Sequence, residues 1–315
     1  MSTVRATRVR GGSAADSTAQ ARAKRRKENL TGWAFSAPWF VLFAVFLAGP
    51  ILASLLLSFT DFGLRDLRNP MGTNLIGVDN FVRLTGDPKF LQASFNTLYF
   101  VVAGVPLTLG SGLGAALLLN SAVIRFRNFF RMGFYLPVVT SIVAIAVIWR
   151  YLLHPDLGLI NALLGAVGID GPNWLAHPSL AMPAIIAMAV WRSTGFVMVI
   201  FLAGLQGIPH ELKESARIDG ASTWNEFRRI TLPLLRPTML FASVITGIGY
   251  LQLFEEPFVM TGGGPLDRTL SVTMLVYEQG FNFLNFGYAS AIAYALFVAI
   301  VVLTVVNFRV LRAQT

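Results

Sequence analysis

Charged residues are missing from five long stretches of this chain: residues 29–60, 90–124, 132–149, 237–254 and 279–308. A helix rises 1.5 Å per residue and the hydrocarbon core of a bilayer is about 30 Å thick, so about 20 apolar residues cross it. Each stretch holds one crossing, two of them near the minimum length. A sixth apolar stretch, Leu180 to Leu205, carries one charge, Arg192. An arginine at mid-helix costs about 2.5 kcal/mol or more on insertion scales, which the neighbouring Ala, Ile, Met, Val, Phe and Trp side chains offset. The reading is an all-α membrane protein with six transmembrane helices, at 33–59, 92–119, 130–153, 180–205, 234–258 and 284–308. Buried helices of soluble proteins rarely run so far without charge.

Composition removes the other broad classes. Charged residues make up 13% of the chain, against about a quarter in globular proteins, while 55% are hydrophobic. The absence of cysteine excludes a disulfide-stapled domain and thiolate chemistry, and three scattered histidines leave few options for a metal. The first apolar stretch, Trp33 to Phe59, far exceeds the 7–15 residues of a signal-peptide core and is read as a retained helix.

The net charge of +9 is explained by its distribution. Segments 1–32, 120–131, 206–236 and 309–315 hold 18 basic and six acidic residues, whereas 60–91, 150–178 and 255–283 hold six basic and ten acidic. Lys and Arg accumulate on the cytoplasmic side, which puts both termini inside. Residues 1–32 form a basic tail, read as a disordered cytoplasmic arm that orients the chain and attracts lipid headgroups. No aromatic residue interleaves its basic residues as a nucleic-acid stacking site requires, so no nucleic-acid partner is expected.

The inner loop at 207–233 is patterned. Pro209 suits a first helical turn, Glu211 and Arg217 complement a helix dipole, and Gly220 can end a helix in the left-handed conformation. Ser222 or Thr223 can cap a second helix with Trp224, Phe227 and Ile230 on its apolar face. The sequence therefore predicts two short helices joined at Asp219-Gly220. Gly110-Ser-Gly-Leu-Gly114 lacks dinucleotide-loop spacing and lies inside a span, so Gly110 and Gly114 are read as a helix-packing pair. The three histidines lie on different loops, and no nucleophile–base–acid set is visible.

Glu214-Ser-Ala-Arg-Ile-Asp-Gly220, with Phe227 and Leu232-Pro233 following, resembles the EAA loop of ABC-importer permeases. Ser215 stands where that family usually has a second alanine. Asn96-Thr97, Arg131, Leu136-Pro137, the run from Leu253 through Glu255-Glu256-Pro257 to Met260-Thr-Gly-Gly-Gly-Pro265, and Phe286 to Ala291 extend the likeness over roughly residues 90–310. Together they look like carbohydrate-importer permeases of the maltose, trehalose and glycerol-phosphate type.

The resemblance implies a type I ABC-importer permease domain over 33–315, one half of a heterodimeric pore working by alternating access in the cell membrane. It implies a second permease subunit, a cytoplasmic ATPase dimer and an extracytoplasmic substrate-binding protein as partners. The solute would be a sugar such as trehalose or maltose, or a glycerol-phosphate-like compound. Loop 207–233 would dock in the ATPase through Glu211, Glu214, Ser215, Ala216, Asp219 and Gly220. The chain has no phosphate-binding loop, so ATP and Mg are expected in the partner ATPase, with no cofactor and no enzymatic activity here. The competing class is an ion- or proton-coupled secondary transporter, which often carries inverted repeats and mid-membrane carboxylates. The two halves of this chain show no such similarity.

Polar residues inside spans usually face an interior. Asn96, Gln252, Glu255, Tyr288 and Ser290 are the candidate pathway residues, with Tyr250 and Phe254 close to Gln252 in sequence. Sugars are held by polar groups and aromatic faces, and this set offers both. Arg192 either faces the pathway or pairs with Glu255 or Glu256. The charge distribution predicts that a C-terminal fluorescent-protein fusion is fluorescent and a C-terminal alkaline phosphatase fusion is inactive; the reverse pattern overturns the orientation.

Overall fold

The computed structural model describes residues 14–121 and 126–312. They are almost entirely helical, and the described residues hold no strand beyond an isolated antiparallel bridge between Thr60 and Leu75. They fall into two compact units that meet in sequence at Leu56 and Leu57. The first holds α1 (Ala14–Phe43), which runs through a π turn at Ala44–Ala48 into α2 (Gly49–Leu57). The π turn has a local cause. Pro50 has no N–H to donate, and the Gly49 N–H reaches back to the Ala44 carbonyl instead. α1 begins inside the segment expected to lack structure, because Ala, Arg, Lys, Gln and Glu dominate its first turns and all favour helix. Residues 1–13 of the predicted tail lie outside the described residues.

The second unit contains α3 (Asp79–Gly86), α4 (Pro88–Asn120), α5 (Arg127–Val139), α6 (Ile142–Leu152), α7 (Leu159–Ala166), α8 (Ala181–Gln206) and α9 (His210–Ile218). There follow α10 (Thr223–Glu226), a π turn at Phe227–Thr231, α11 (Leu232–Leu234), α12 (Arg236–Leu251), α13 (Glu255–Met260), α14 (Val272–Tyr277) and α15 (Phe286–Arg312). Among the described residues, four continuous helices are long and apolar enough to cross a membrane: Thr31–Leu57, Pro88–Asn120, Ala181–Gln206 and Phe286–Arg309. Two bent helix pairs add to these: the third predicted span is one, and the other joins the second loop helix to α12, the first part of the fifth predicted span, which stops at Leu251 and resumes as α13 at Glu255. α5 and α6 meet at 99°, and Thr223–Leu234 meets α12 at 64°. Counted as one crossing each, they bring the total to six. The third span was expected to be continuous. It breaks at Thr140, which is extended, and Ser141, which is also outside the helical region, after Pro137 and the β-branched Val138 and Val139, which disfavour further helix.

α4 and α8 form the centre of the second unit. α4 gives Phe100 to one buried cluster with Ile185, Met188 and Tyr250, and Leu119 to another with Val197, Phe201 and Leu235. Its first turns reach a third, around Leu275 and Ile292, through Ala93. Helix association in lipid relies on close packing, so small residues mark the crossings. The glycines at these crossings are Gly104 and Gly112. A Cβ on Gly112 would stand 2.6 Å from Val197 Cγ1, and one on Gly104 would stand 2.8 Å from Tyr250 Cε2. Gly110 and Gly114, the pair expected to pack, meet nothing within 4 Å. Two positions rotate a helix by about 200°, so 110 and 114 look away from the face that 112 uses.

Overpacking of this kind costs about 1–3 kcal/mol. The G112L protein is expected to unfold in detergent at a lower temperature than the parent, while G110A unfolds at or above the parent temperature. Equal melting of G112L and the parent would remove the crossing from the fold's stability.

Candidate functional site

α8, α12, α13 and the break between α5 and α6 line a cavity of about 380 Å³. α8 contributes Arg192, Ser193 and Phe196, with Arg192 and Phe196 one turn apart on the same face. α12 contributes Thr246 and Tyr250 and then stops at Leu251, so Gln252 and Leu253 line the cavity from a non-helical stretch. The chain re-enters helix at Glu255, and Glu255 and Glu256 complete the lining with Val138 and Ile142 from either side of the α5–α6 break. Ser271 Oγ donates to the Leu253 carbonyl at 2.5 Å, which satisfies an acceptor that the broken helix leaves over.

The Tyr250 and Thr108 hydroxyls lie 2.7 Å apart in a hydrogen bond between α12 and α4, and Ser111 and Thr194 are joined at 2.8 Å between α4 and α8. Arg192 shares the cavity with Glu255 and Glu256 but has no carboxylate within 4.0 Å among the described residues, and its buried Nε has no hydrogen-bond partner there. The cavity therefore presents guanidinium and amide donors, carboxylate acceptors, hydroxyls and one phenyl face. That set suits a solute dense in hydroxyl groups, which donates and accepts at every position.

Of the predicted pathway residues, Gln252 and Glu255 line this cavity. Asn96 does not. It is buried, its amide donates to the carbonyls of Asp267 and Leu270 at 2.7 and 2.8 Å, and its Oδ1 accepts from Gln92 Nε2 at 2.8 Å, so it ties down the loop after α13. Tyr288 is also buried away from the cavity. Its hydroxyl donates to Asp87 Oδ2 at 2.5 Å and the Arg83 guanidinium lies 4.1 Å over its ring. Ser290 lies half-buried on α15, outside the lining. Phe196 is a lining residue absent from the sequence reading, and Tyr250 and Glu256, named there beside Gln252 and as a partner for Arg192, line the cavity as well. The i, i+4 spacing of Arg192 and Phe196 was the available signal, together with Pro257 just after the two glutamates.

The inner loop folds as two helices joined at Gly220. α9 ends with the Asp219 N–H on the Ser215 carbonyl at 3.0 Å and the Ala221 N–H on the Ala216 carbonyl at 2.9 Å, and Gly220 takes φ +78°. That conformation is free of a Cβ penalty only in glycine. Ser222 Oγ caps α10 by accepting the Asn225 N–H at 3.3 Å. Glu211, Glu214, Ser215, Asp219 and Gly220 are exposed and Ala216 is half-buried, while Ile218 is 86% and Trp224 65% exposed. The second helix is longer than expected, because it continues through the π turn and α11 into α12.

Comparison with known proteins assigns the class. Residues 104–314 match the family described as binding-protein-dependent transport system inner membrane components. The lactose transport system permease protein LacF of Rhizobium radiobacter is 37% identical over 296 residues, covering 92% of this chain and 97% of LacF. The trehalose/maltose transport system permease protein MalF of Thermococcus litoralis is 32% identical over 297 residues, covering 94% of this chain and 98% of that one. A chain from the crystal structure of a bacterial ABC transporter that imports the acidic polysaccharide alginate superposes with a TM-score of 0.80 at 26% identity, covering 94% and 99% of the two chains. The chain belongs to the binding-protein-dependent transport inner membrane component family. It is an integral membrane permease of the ABC-transporter class with the type I importer fold, and its relatives include sugar permeases.

Partial burial pushes the Asp87 carboxyl up, but the hydrogen bonds from Tyr288 and from the backbone N–H groups of Lys89 and Phe90 outweigh it and hold the group below the ordinary carboxylate range. Its contribution to stability is therefore complete above the unfolded value of about 3.9 and is lost as pH falls through the lower folded value. The Y288F protein is expected to melt below the parent at pH 7, with the gap closing as the pH drops below about 4. A gap independent of pH would show that the lost hydroxyl acts other than through the Asp87 carboxylate.

Proposed function

We propose that this chain is one permease subunit of an ATP-driven importer for a sugar, an oligosaccharide or disaccharide, and that it forms the pore with a second permease. The observation that carries this reading is the near end-to-end similarity to the lactose permease LacF. The mixed donor and acceptor lining of the cavity supports it. In this reading an extracytoplasmic binding protein delivers the sugar, as in the solved alginate transporter complex with its oligosaccharide-bound periplasmic protein. Gln252 and Glu255 then contact its hydroxyls in the cavity. Both termini and the loop at 207–233 are cytoplasmic.

The exposed helix α9 docks in the partner ATPase, which holds ATP and Mg, while this chain supplies no nucleotide site. Glu214 and Asp219 meet polar or basic groups, and Ser215, Ala216 and Gly220 permit close approach. Movement there is passed through Thr223–Leu234 to α12, whose far end borders the cavity at Gln252.

The test is reconstitution with the second permease, the ATPase and the binding protein, and uptake of lactose, maltose and trehalose. ATP-dependent uptake is expected. Q252A and E255A are expected to raise the half-saturating sugar concentration by about tenfold each, the worth of a lost buried hydrogen bond. G220V strains a positive φ by about 1–2 kcal/mol and is expected to abolish stimulation of the ATPase by the loaded binding protein. Uptake by this chain alone without ATP would establish a secondary transporter instead.

A further inference from the structure

A line of aromatic rings leads away from the cavity. Phe254 sits between the lining residues Leu253 and Glu255. Its ring centroid is 5.0 Å from Phe258 and 5.5 Å from Tyr277, and Tyr277 lies 5.6 Å from Phe258 and 5.3 Å from Phe281. Two near-parallel i, i+4 pairs, Phe254 with Phe258 and Tyr277 with Phe281, thus stand side by side on α13 and on the end of α14 with the π turn that follows it. Glu255 and Phe258 are three residues apart and share a face of α13, so the face that enters the cavity continues into the rings. Phe258 is 45% exposed, and Phe281, at the far end, is 69% exposed. Lys89 Nζ holds Glu278 at 2.7 Å, which fixes the turn between Tyr277 and Phe281.

We propose that Phe254, Phe258, Tyr277 and Phe281 form an auxiliary binding site for sugar rings, a track between the outer surface and the cavity. This rests on the sugar reading proposed above. The C–H bonds on one face of a pyranose are polarised by the neighbouring oxygens and meet the negative face of an aromatic ring, while the hydroxyls at the ring edge stay in water. Rings spaced about 5 Å apart give a run of weak, similar sites, which suits passage better than retention does. Continuity with the cavity decides the occupant. An aromatic belt for lipid headgroups has no reason to end at Glu255 and Gln252, whereas a path for a hydroxyl-rich solute does.

The test uses the complete importer in proteoliposomes, with whichever of lactose, maltose and trehalose the parent complex transports. The double variant Y277L/F281L keeps the apolar surface and removes the π faces. It is expected to lower uptake at subsaturating sugar about threefold to tenfold, the range for one or two aromatic contacts. Y277W/F281W is expected to retain uptake, and both should retain assembly with the second permease. Leucine variants that transport like the parent would overturn the track and assign the rings to lipid or to the second permease.

A second measurement leaves the rings in place. The chain has no cysteine, so N282C introduces a unique thiol beside Phe281. Saturating sugar is expected to slow its labelling by a maleimide in the complex, and an unchanged rate would overturn the proposal. If the parent complex moves none of these sugars, the sugar reading itself fails. Sugar uptake that ignores the leucine variants and leaves labelling unchanged rejects the track alone.

Discussion

A backbone that crosses hydrocarbon must satisfy its own hydrogen bonds, and the arrangement of this chain follows from that requirement. Lipid offers no donor or acceptor, so a helix can break at membrane depth only where protein or a water-lined space supplies partners. Two predicted spans break here, at Thr140–Ser141 and at Gln252–Phe254. Residues flanking both breaks line the same cavity, Val138 and Ile142 from one, and Gln252, Leu253, Glu255 and Glu256 from the other. The irregular backbone of both breaks is thereby gathered at one cavity, where Arg192, Ser193, Thr246 and Gln252 add polar side chains. Where partners are needed, the chain provides them from a distance in sequence, as Ser271 does for the Leu253 carbonyl.

Tyr250 shows how the cavity is held in register. It packs edge-on against Phe100 at 4.8 Å, passes Gly104 where no Cβ fits, and reaches Thr108 with its hydroxyl. Phe100, Gly104 and Thr108 are spaced by four and form one stripe along α4. One face of α4 is thus shaped to a single side chain of α12, one residue before the helix ends. That fixes where Gln252 begins the break. The adjoining polar link, Ser111 to Thr194, fixes α8 on the same side and with it Arg192.

The helices were legible in the sequence because charge is expensive in hydrocarbon, and gaps between charges mark the spans directly. Gly220 and Ser222 were legible because helix termini depend on local chemistry, and they occupy the cap positions expected of them. What could not be read was tertiary. Gly110 and Gly114 have the spacing of a packing pair, yet the crossing uses Gly104 and Gly112, a choice set by where Tyr250 and Val197 stand. Asn96 looked like a pathway residue because a buried amide is costly, and the partners that remove that cost lie more than 170 residues away, at Asp267 and Leu270. Arg192 had two readings, and only the relative position of α8 and α13 separates an ion pair from a shared cavity.

The π turns carry a further lesson about how force could pass through the chain. Two of the three among the described residues precede a proline, at Gly49-Pro50 and Leu232-Pro233, and in both the preceding N–H reaches back five residues. A proline placed inside a helix removes a donor, and the wider turn lets the helix continue past it. The segment from Thr223 therefore stays helical up to Leu235, where it turns by 64° into α12. In the proposed transporter this bend joins the docking loop to a helix of 16 residues, about 24 Å long. A helix of that length is stiff, so a displacement at its inner end is delivered to its outer end, at the break that borders the cavity. In that proposed path the bend and Gly220 are the points that would absorb rotation, and the helix between the bend and Gln252 would move as one body.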